Sequence, residues 1–139
     1  MNNRKLVEGV TLVDIERRRD DRGEIAIFDS GSMPFTAVRS FAICDVPEGA
    51  CRGGHALSCD EFLWIAAGSC RISVANGTQK SSFKLENNGQ GVLVSAGVWL
   101  ELNNFAPGTV VFGFAPVPYS ETKKFDAPRP DLIAARTNM

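Results

Sequence analysis

Apolar and polar residues alternate with a period of two along most of this chain, in short runs rich in β-branched and aromatic side chains and bounded by Gly, Pro, Asn and Asp. The pattern predicts strands at Val10–Glu16, Glu24–Asp29, Ala37–Cys44, Glu61–Ala67, Cys70–Asn76, Thr78–Leu85, Val92–Ser95, Trp99–Asn103 and Thr109–Ala115. Turns fall at Asp20-Asp21-Arg22-Gly23, Gly68-Ser69, Asn76-Gly77, Asn87-Asn88-Gly89 and Pro107-Gly108. Only Asp131–Arg136, after Pro130, has a helical spacing, and it is short. There is no heptad, low-complexity segment or long-period repeat. Many short antiparallel strands with tight turns fit an all-β sandwich or a closed double-sheet jelly roll.

With 139 residues and 44% hydrophobic content, the chain suits one globular domain, 1–139, with a substantial core. A net charge of −1 offers no basic field for nucleic acid or for an anionic membrane. The densest basic run, Arg17-Arg18-Arg19, is followed at once by Asp20-Asp21 and reads as a solvated strand end. No apolar run approaches the ~20 residues of a membrane span, and the N-terminal residues lack a signal-peptide hydrophobic stretch, so a cytoplasmic location is expected. Cys44, Cys51, Cys59 and Cys70 are then expected as reduced thiols. Cys51 and Cys59 flank His55, but no pair has the close spacing that marks a structural zinc site. Asn76-Gly77-Thr78 matches a glycosylation acceptor, and equally the strongest short hairpin signal, which needs no secretion.

The chain's single histidine lies in one of two glycine-framed stretches. The first runs Gly49, five residues, His55, one residue, Leu57, three residues, Glu61, six residues, Gly68; the second runs Gly89, five residues, Ser95-Ala96-Gly97, two residues, Leu100, three residues, Asn104. Both resemble the paired motifs of the cupin superfamily, whose frame departs here only where Ser95 replaces a proline. The resemblance implies an RmlC-like jelly roll, the double-stranded β-helix, with a short C-terminal helix and a small-molecule site in the barrel mouth. Positions 55, 57 and 61 share strand parity, which would turn His55 and Glu61 into that cavity with Leu57 and Leu100 on the same wall. Metal-dependent cupins hold their ion with four residues at these places. His55 and Glu61 alone cannot make the usual triad of two histidines and a carboxylate, so neither metal nor other cofactor is expected.

Most of the chain from about residue 20 to 120 resembles a narrower group, the WxcM-like cupins, which include dTDP-4-keto-6-deoxyglucose 3,4-ketoisomerases. The shared pieces are Asp21-Arg22-Gly23, Pro34-Phe35 with Arg39, Arg52-Gly53-Gly54-His55-Ala56, Gly68-Ser69-Cys70-Arg71 and Gly97-Val98-Trp99. The resemblance implies a ketone shifted along a sugar ring through an enediol, with histidine as base and arginines on the nucleotide diphosphate; such proton transfer needs no metal. His55, Arg52 and Arg39 stand at matching places. Four positions depart: Phe41 replaces a tyrosine, Leu57 and Leu100 replace histidines, and Phe62 replaces a glutamine.

On this reading His55 and Glu61 carry the chemistry. Arg39, Arg52 and Gly53 meet the phosphates, and Phe41, Phe62, Leu57 and Leu100 line the site. Glu61, costly to bury charged and alone, is expected to pair with His55 or with an arginine. Trp99 is expected in the core, Trp64 in core or interface, and Tyr119 is a phenol without an assigned place. The partners implied are a dTDP-sugar and a second copy of the chain, with Val10–Ile15 as a segment suited to crossing onto it. The function expected is ketoisomerisation in deoxysugar and surface polysaccharide biosynthesis. The alternative is a nucleotide-sugar-binding cupin that has lost turnover.

Overall fold

The computed structural model describes residues 3–137. In chain order the strands are β1 (Asn3–Val7), β2 (Val10–Asp14), β3 (Glu16–Asp20), β4 (Gly23–Ile27), β5 (Arg39–Ile43), β6 (Arg52–Leu57) and β7 (Glu61–Ala67). They continue as β8 (Ser69–Ala75), β9 (Lys80–Glu86), β10 (Gln90–Val94), β11 (Trp99–Asn103), β12 (Val110–Ala115) and β13 (Lys124–Phe125), followed by helix α1 (Pro130–Thr137). A six-stranded sheet in the order β1-β2-β10-β7-β12-β5 faces a five-stranded sheet in the order β13-β6-β11-β8-β9, and β3-β4 form a separate hairpin. The two-layer antiparallel architecture is the jelly roll expected.

Alternation decides which side chains meet between the sheets. Val10 and Leu12 of β2, Leu63 and Ile65 of β7 and Val92 and Val94 of β10 close on Ile72 and Val74 of β8 and Leu100 and Leu102 of β11 in one core cluster. Burying such aliphatic side chains contributes roughly 1.5–3 kcal/mol each against leaving them exposed. The six-stranded sheet is apolar on its other face as well. There Val13, Phe62 and Trp64 gather Phe28, Met33, Phe35 and Phe114, with Phe28 5.0 Å from Trp64 and 4.9 Å from Phe114 between ring centroids.

The strand predictions hold in place and type, with shifted ends and four omissions. Val10–Glu16 is two elements: after Asp14 the chain leaves the sheet, Ile15 N–H bonds the Gly89 carbonyl, and the basic run becomes β3. Its arginines pair locally with acids of the same hairpin, Arg17 and Arg19 with Glu24 at 3.2 and 3.1 Å and Arg18 with Glu16 at 2.8 Å. β1, β6 and β13 lack an alternating apolar signal. β2 is an interior strand, bonded to β1 and β10 of its own chain, and the sheet edges are β1 and β5. The helix starts at Pro130, a residue suited to a first turn, and plants Ile133 in the core.

Two polar side chains tie the turns. Buried Asn76 accepts the N–H groups of Thr78 and Gln79 at 3.0 and 2.8 Å and donates to the Glu8 carbonyl at 3.0 Å, so the Asn-Gly hairpin is anchored from inside. Buried Thr109 accepts from Ser69 N–H at 3.1 Å and lies 2.6 Å from the Ala106 carbonyl and 3.0 Å from the Ser69 carbonyl. Thr109→Val keeps the shape and removes these bonds. It should cost about 1–3 kcal/mol, read from the midpoint of urea unfolding.

Candidate functional site

A cavity of about 350 Å³ opens between the two sheets. Leu57, Leu63, Val94, Val98, Leu100 and Leu102 form its apolar floor, and Arg39, Arg52, His55, Glu61, Tyr119 and Lys124 bring the charge and proton chemistry.

His55 reaches the cavity through an irregularity. On β6 the register against β11 runs His55↔Leu100 and then Gly53↔Glu101, which skips Gly54. In a regular strand residues 52 and 55 would face opposite sides; the extra residue puts Arg52 and His55 on the same wall. Gly53 and Gly54 take φ of +82° and +84°, a region open to glycine. A Cβ on Gly53 would stand 2.8 Å from the Leu100 carbonyl oxygen. Gly53 lines the cavity and sets this backbone.

The half-buried His55 imidazole is held below its ordinary pKa, first by desolvation and then by the nearby Lys124 ammonium, with a hydrogen bond to the Gly53 backbone acting the other way. It is therefore neutral at neutral pH and free to take a proton. Glu61, at the start of β7, has a side chain only 13% exposed. Burial pushes its carboxyl up to about 7, against the pull of Arg39. Arg39 Nη2 stands 3.8 Å from Glu61 Oε2, so the partner of Glu61 is the arginine. The Arg39 guanidinium lies 5.8 Å from the ring centroid of Phe41 and 5.5 Å from that of Tyr119, and its buried Nε has no hydrogen-bond partner.

Arg39, Arg52, Gly53, His55, Glu61, Phe41, Leu57 and Leu100 thus meet around one cavity, as the motif spacing implied. Phe62 does not. It follows Glu61 by one residue, so the pleat turns it to the outer face, where its ring lies 6.4 Å from Phe114. The same parity sends buried Trp64 outward. Trp99, expected in the core, is half-buried on the outer face of the five-stranded sheet, beside Lys80 and Pro128 in a second depression. Sequence reasoning missed Lys124, and left Tyr119 unassigned; both come from the proline-rich segment after β12. All four cysteines are free thiols, Cys44 and Cys51 exposed, Cys59 and Cys70 buried. Among the described residues no three His, Cys, Asp or Glu side chains group closely enough to hold a metal ion, and no helix is long and apolar enough to cross a membrane.

The fold and its mouth-facing cavity define an RmlC-like cupin. An RmlC epimerase from Mycobacterium tuberculosis superposes with a TM-score of 0.72 at 18% identity, covering 96% of this chain and 77% of that one. Residues 8–126 match the FdtA family, described as WxcM-like, C-terminal, and the chain belongs to that family. A TDP-4-oxo-6-deoxy-alpha-D-glucose-3,4-oxoisomerase from Aneurinibacillus thermoaerophilus is 28% identical over 113 residues, 80% of this chain and 81% of the relative. A variant of the 3,4-ketoisomerase QdtA from Thermoanaerobacterium thermosaccharolyticum, solved with TDP-4-keto-6-deoxyglucose, superposes with a TM-score of 0.82 at 21% identity, covering 94% and 95% of the two chains.

Glu61 and His55 act oppositely on stability against pH. The raised Glu61 pKa means the folded chain binds the extra proton between about 4.5 and about 7, so this group's effect weakens folding as pH rises through that window. The lowered His55 pKa makes folding weaken as pH falls below its ordinary value of 6.5. Glu61→Gln removes only the first effect. The variant should gain stability over the parent at pH ~8 relative to pH ~4.5, compared by urea titration at both.

Proposed function

We propose that this protein is a 3,4-ketoisomerase-like enzyme acting on a TDP-linked 4-keto-6-deoxyhexose. Two of the proteins named above, the oxoisomerase and QdtA, carry that activity in their names, and the observation that carries the reading here is the His55 imidazole on a cavity wall shared with the Glu61–Arg39 pair. His55 removes the proton from the carbon beside the ketone, and the electron pair moves onto the ketone oxygen to give an enediolate, which becomes the enediol when that oxygen takes a proton. Glu61, poised near neutrality, takes the proton of the neighbouring hydroxyl as the second carbonyl forms. The proton held by His55 then returns to the former carbonyl carbon. Arg52 and Lys124, both exposed on the cavity rim, suit the diphosphate. The Phe41 ring suits an apolar sugar face. A proton transfer of this kind asks for a base and donors within reach, and for no cofactor.

The second reading, a binder of nucleotide sugars without turnover, draws on Leu57 and Leu100, which put aliphatic carbon where related chains are expected to carry histidines. Proton NMR in deuterated water separates the two. With TDP-4-keto-6-deoxyglucose, the ketoisomerase exchanges deuterium at the carbon beside the ketone, and His55→Asn abolishes exchange while TDP still raises the melting temperature. Full exchange by that variant removes His55 as base. A TDP-stabilised wild-type protein that exchanges nothing is the binder.

The reading includes a cytoplasmic location, a step in deoxysugar and surface polysaccharide biosynthesis, and a homodimer. For the last, the outer face of the six-stranded sheet offers apolar surface: Phe112 stacks 6.1 Å from Trp64 and remains 37% exposed, and Val38 is 61% exposed. Light scattering behind size exclusion should return the mass of two chains; the mass of one chain would overturn the dimer.

A further inference from the structure

The isomerisation leaves one proton without a source. The ketone oxygen gains a proton while His55 is loaded with the carbon's proton and Glu61, acting as a carboxylate, receives the hydroxyl's, so in this scheme the donor is a group other than these two. The segment after β12 supplies one. The residues that follow its 3-10 turn, Tyr119–Glu121, are fastened to the loop between β6 and β7. Ser58 N–H bonds the Lys123 carbonyl at 3.0 Å, and Lys123 N–H bonds Ser58 Oγ at 2.8 Å. Thr122 Oγ1 bonds the Pro118 carbonyl at 3.1 Å and lies 3.8 Å from Cys59 Sγ. The strap so held closes one side of the cavity with Tyr119, Thr122 and Lys124.

On that strap the Tyr119 ring stands between two cations, its centroid 5.5 Å from the Arg39 guanidinium and 5.4 Å from Lys124 Nζ. Arg39 in turn reaches Glu61 at 3.8 Å, so one guanidinium links the phenol to the carboxyl. A phenol flanked by cations surrenders its proton more readily, because the phenolate left behind is stabilised. The Tyr119 phenol is accordingly held below its ordinary pKa, first by its hydrogen bond with Lys124.

We propose that Tyr119 is a third catalytic residue of this chain, the donor that protonates the ketone oxygen as His55 removes the neighbouring carbon's proton. This rests on the ketoisomerase reading above. The step balances: the carbon–hydrogen bond breaks and a nitrogen–hydrogen bond forms on His55, while the phenol oxygen–hydrogen bond breaks and one forms on the ketone oxygen. In the second half Glu61 takes the hydroxyl proton and His55 returns its own to carbon. The cycle ends with Glu61 protonated and Tyr119 as phenolate, and the proton passes from the carboxyl to the phenolate, directly or through water. Leu57 and Leu100 offer no proton at the two places where related chains are expected to carry histidines, and the Tyr119 phenol stands at the rim of the same cavity.

Tyr119→Phe keeps the ring between its cations and removes only the acidic proton. With TDP-4-keto-6-deoxyglucose, kcat should fall by about 100-fold or more, deuterium exchange at the carbon should slow in step, and TDP should stabilise variant and parent alike. Lys124→Met should lower kcat less. Unchanged turnover and exchange in Tyr119→Phe would overturn the donor role and leave the ketoisomerase reading intact, provided that His55→Asn is inactive. Absence of exchange in the wild-type protein would overturn both.

Discussion

The pairing of β6 with β11 skips one residue, Gly54, and the place of His55 follows from that skip. A regular strand would send Arg52 and His55 to opposite faces, one to the cavity and one to solvent. Inserting a residue reverses the parity between them, so the rim cation and the imidazole share a wall. The insertion needs left-handed backbone at both Gly53 and Gly54, with the Leu100 carbonyl close against the first. Any side chain at position 53 would meet that carbonyl and contend with an unfavourable φ as well. Two glycines before the histidine therefore serve its aim, and the pairing with Leu100 holds the ring over the aliphatic floor.

Electrostatics in the cavity are arranged in depth. Among the described residues that line it, the carboxyl is that of Glu61, and desolvation outweighs the attraction of Arg39 enough to push its pKa up to about 7. Arg39 is shared among Glu61, Phe41 and Tyr119, with a buried Nε left without a partner. An unpaired buried donor is costly, and this one belongs to a side chain that lines the cavity. Lys124, farther out, adds to the desolvation that lowers the His55 pKa, and its hydrogen bond lowers that of the Tyr119 phenol. One ammonium thus favours the deprotonated form of both groups, which leaves His55 a free base and makes the Tyr119 phenol a stronger acid.

The fold was largely legible because apolar residues mark the strands, by alternation in β8 and by an unbroken apolar run in β7, which is buried on both faces. That signal faded where strands carry glycine or charge: β6 is glycine-rich, β3 is a run of arginines, and β1 and β13 are short or polar. For the site, the motif spacing located His55, Glu61, Arg39 and Arg52. Phe62 failed because one step along a strand reverses the face. Trp99 failed because a large apolar ring on an outer face looks, in sequence, like one on an inner face. Tyr119 and Lys124 were obscured for a different reason. Their segment has no periodicity, and its position comes from hydrogen bonds to residues more than 60 positions away, Ser58 with Lys123 above all.

The aliphatic floor and the cationic rim are carried by different residues, Leu57 and Arg52 both on β6, and that division affects how such a protein can change. Leu57 and Leu100 lie on paired inner strands, while Arg52 stands beyond the bulge and Lys124 on the C-terminal strap. Substitution of the floor need not disturb the rim, and the strap can gain or lose a reactive side chain without repacking the core. Floor and rim can then vary separately: the side chains that face the cavity's interior can be exchanged while the cations at its mouth are kept.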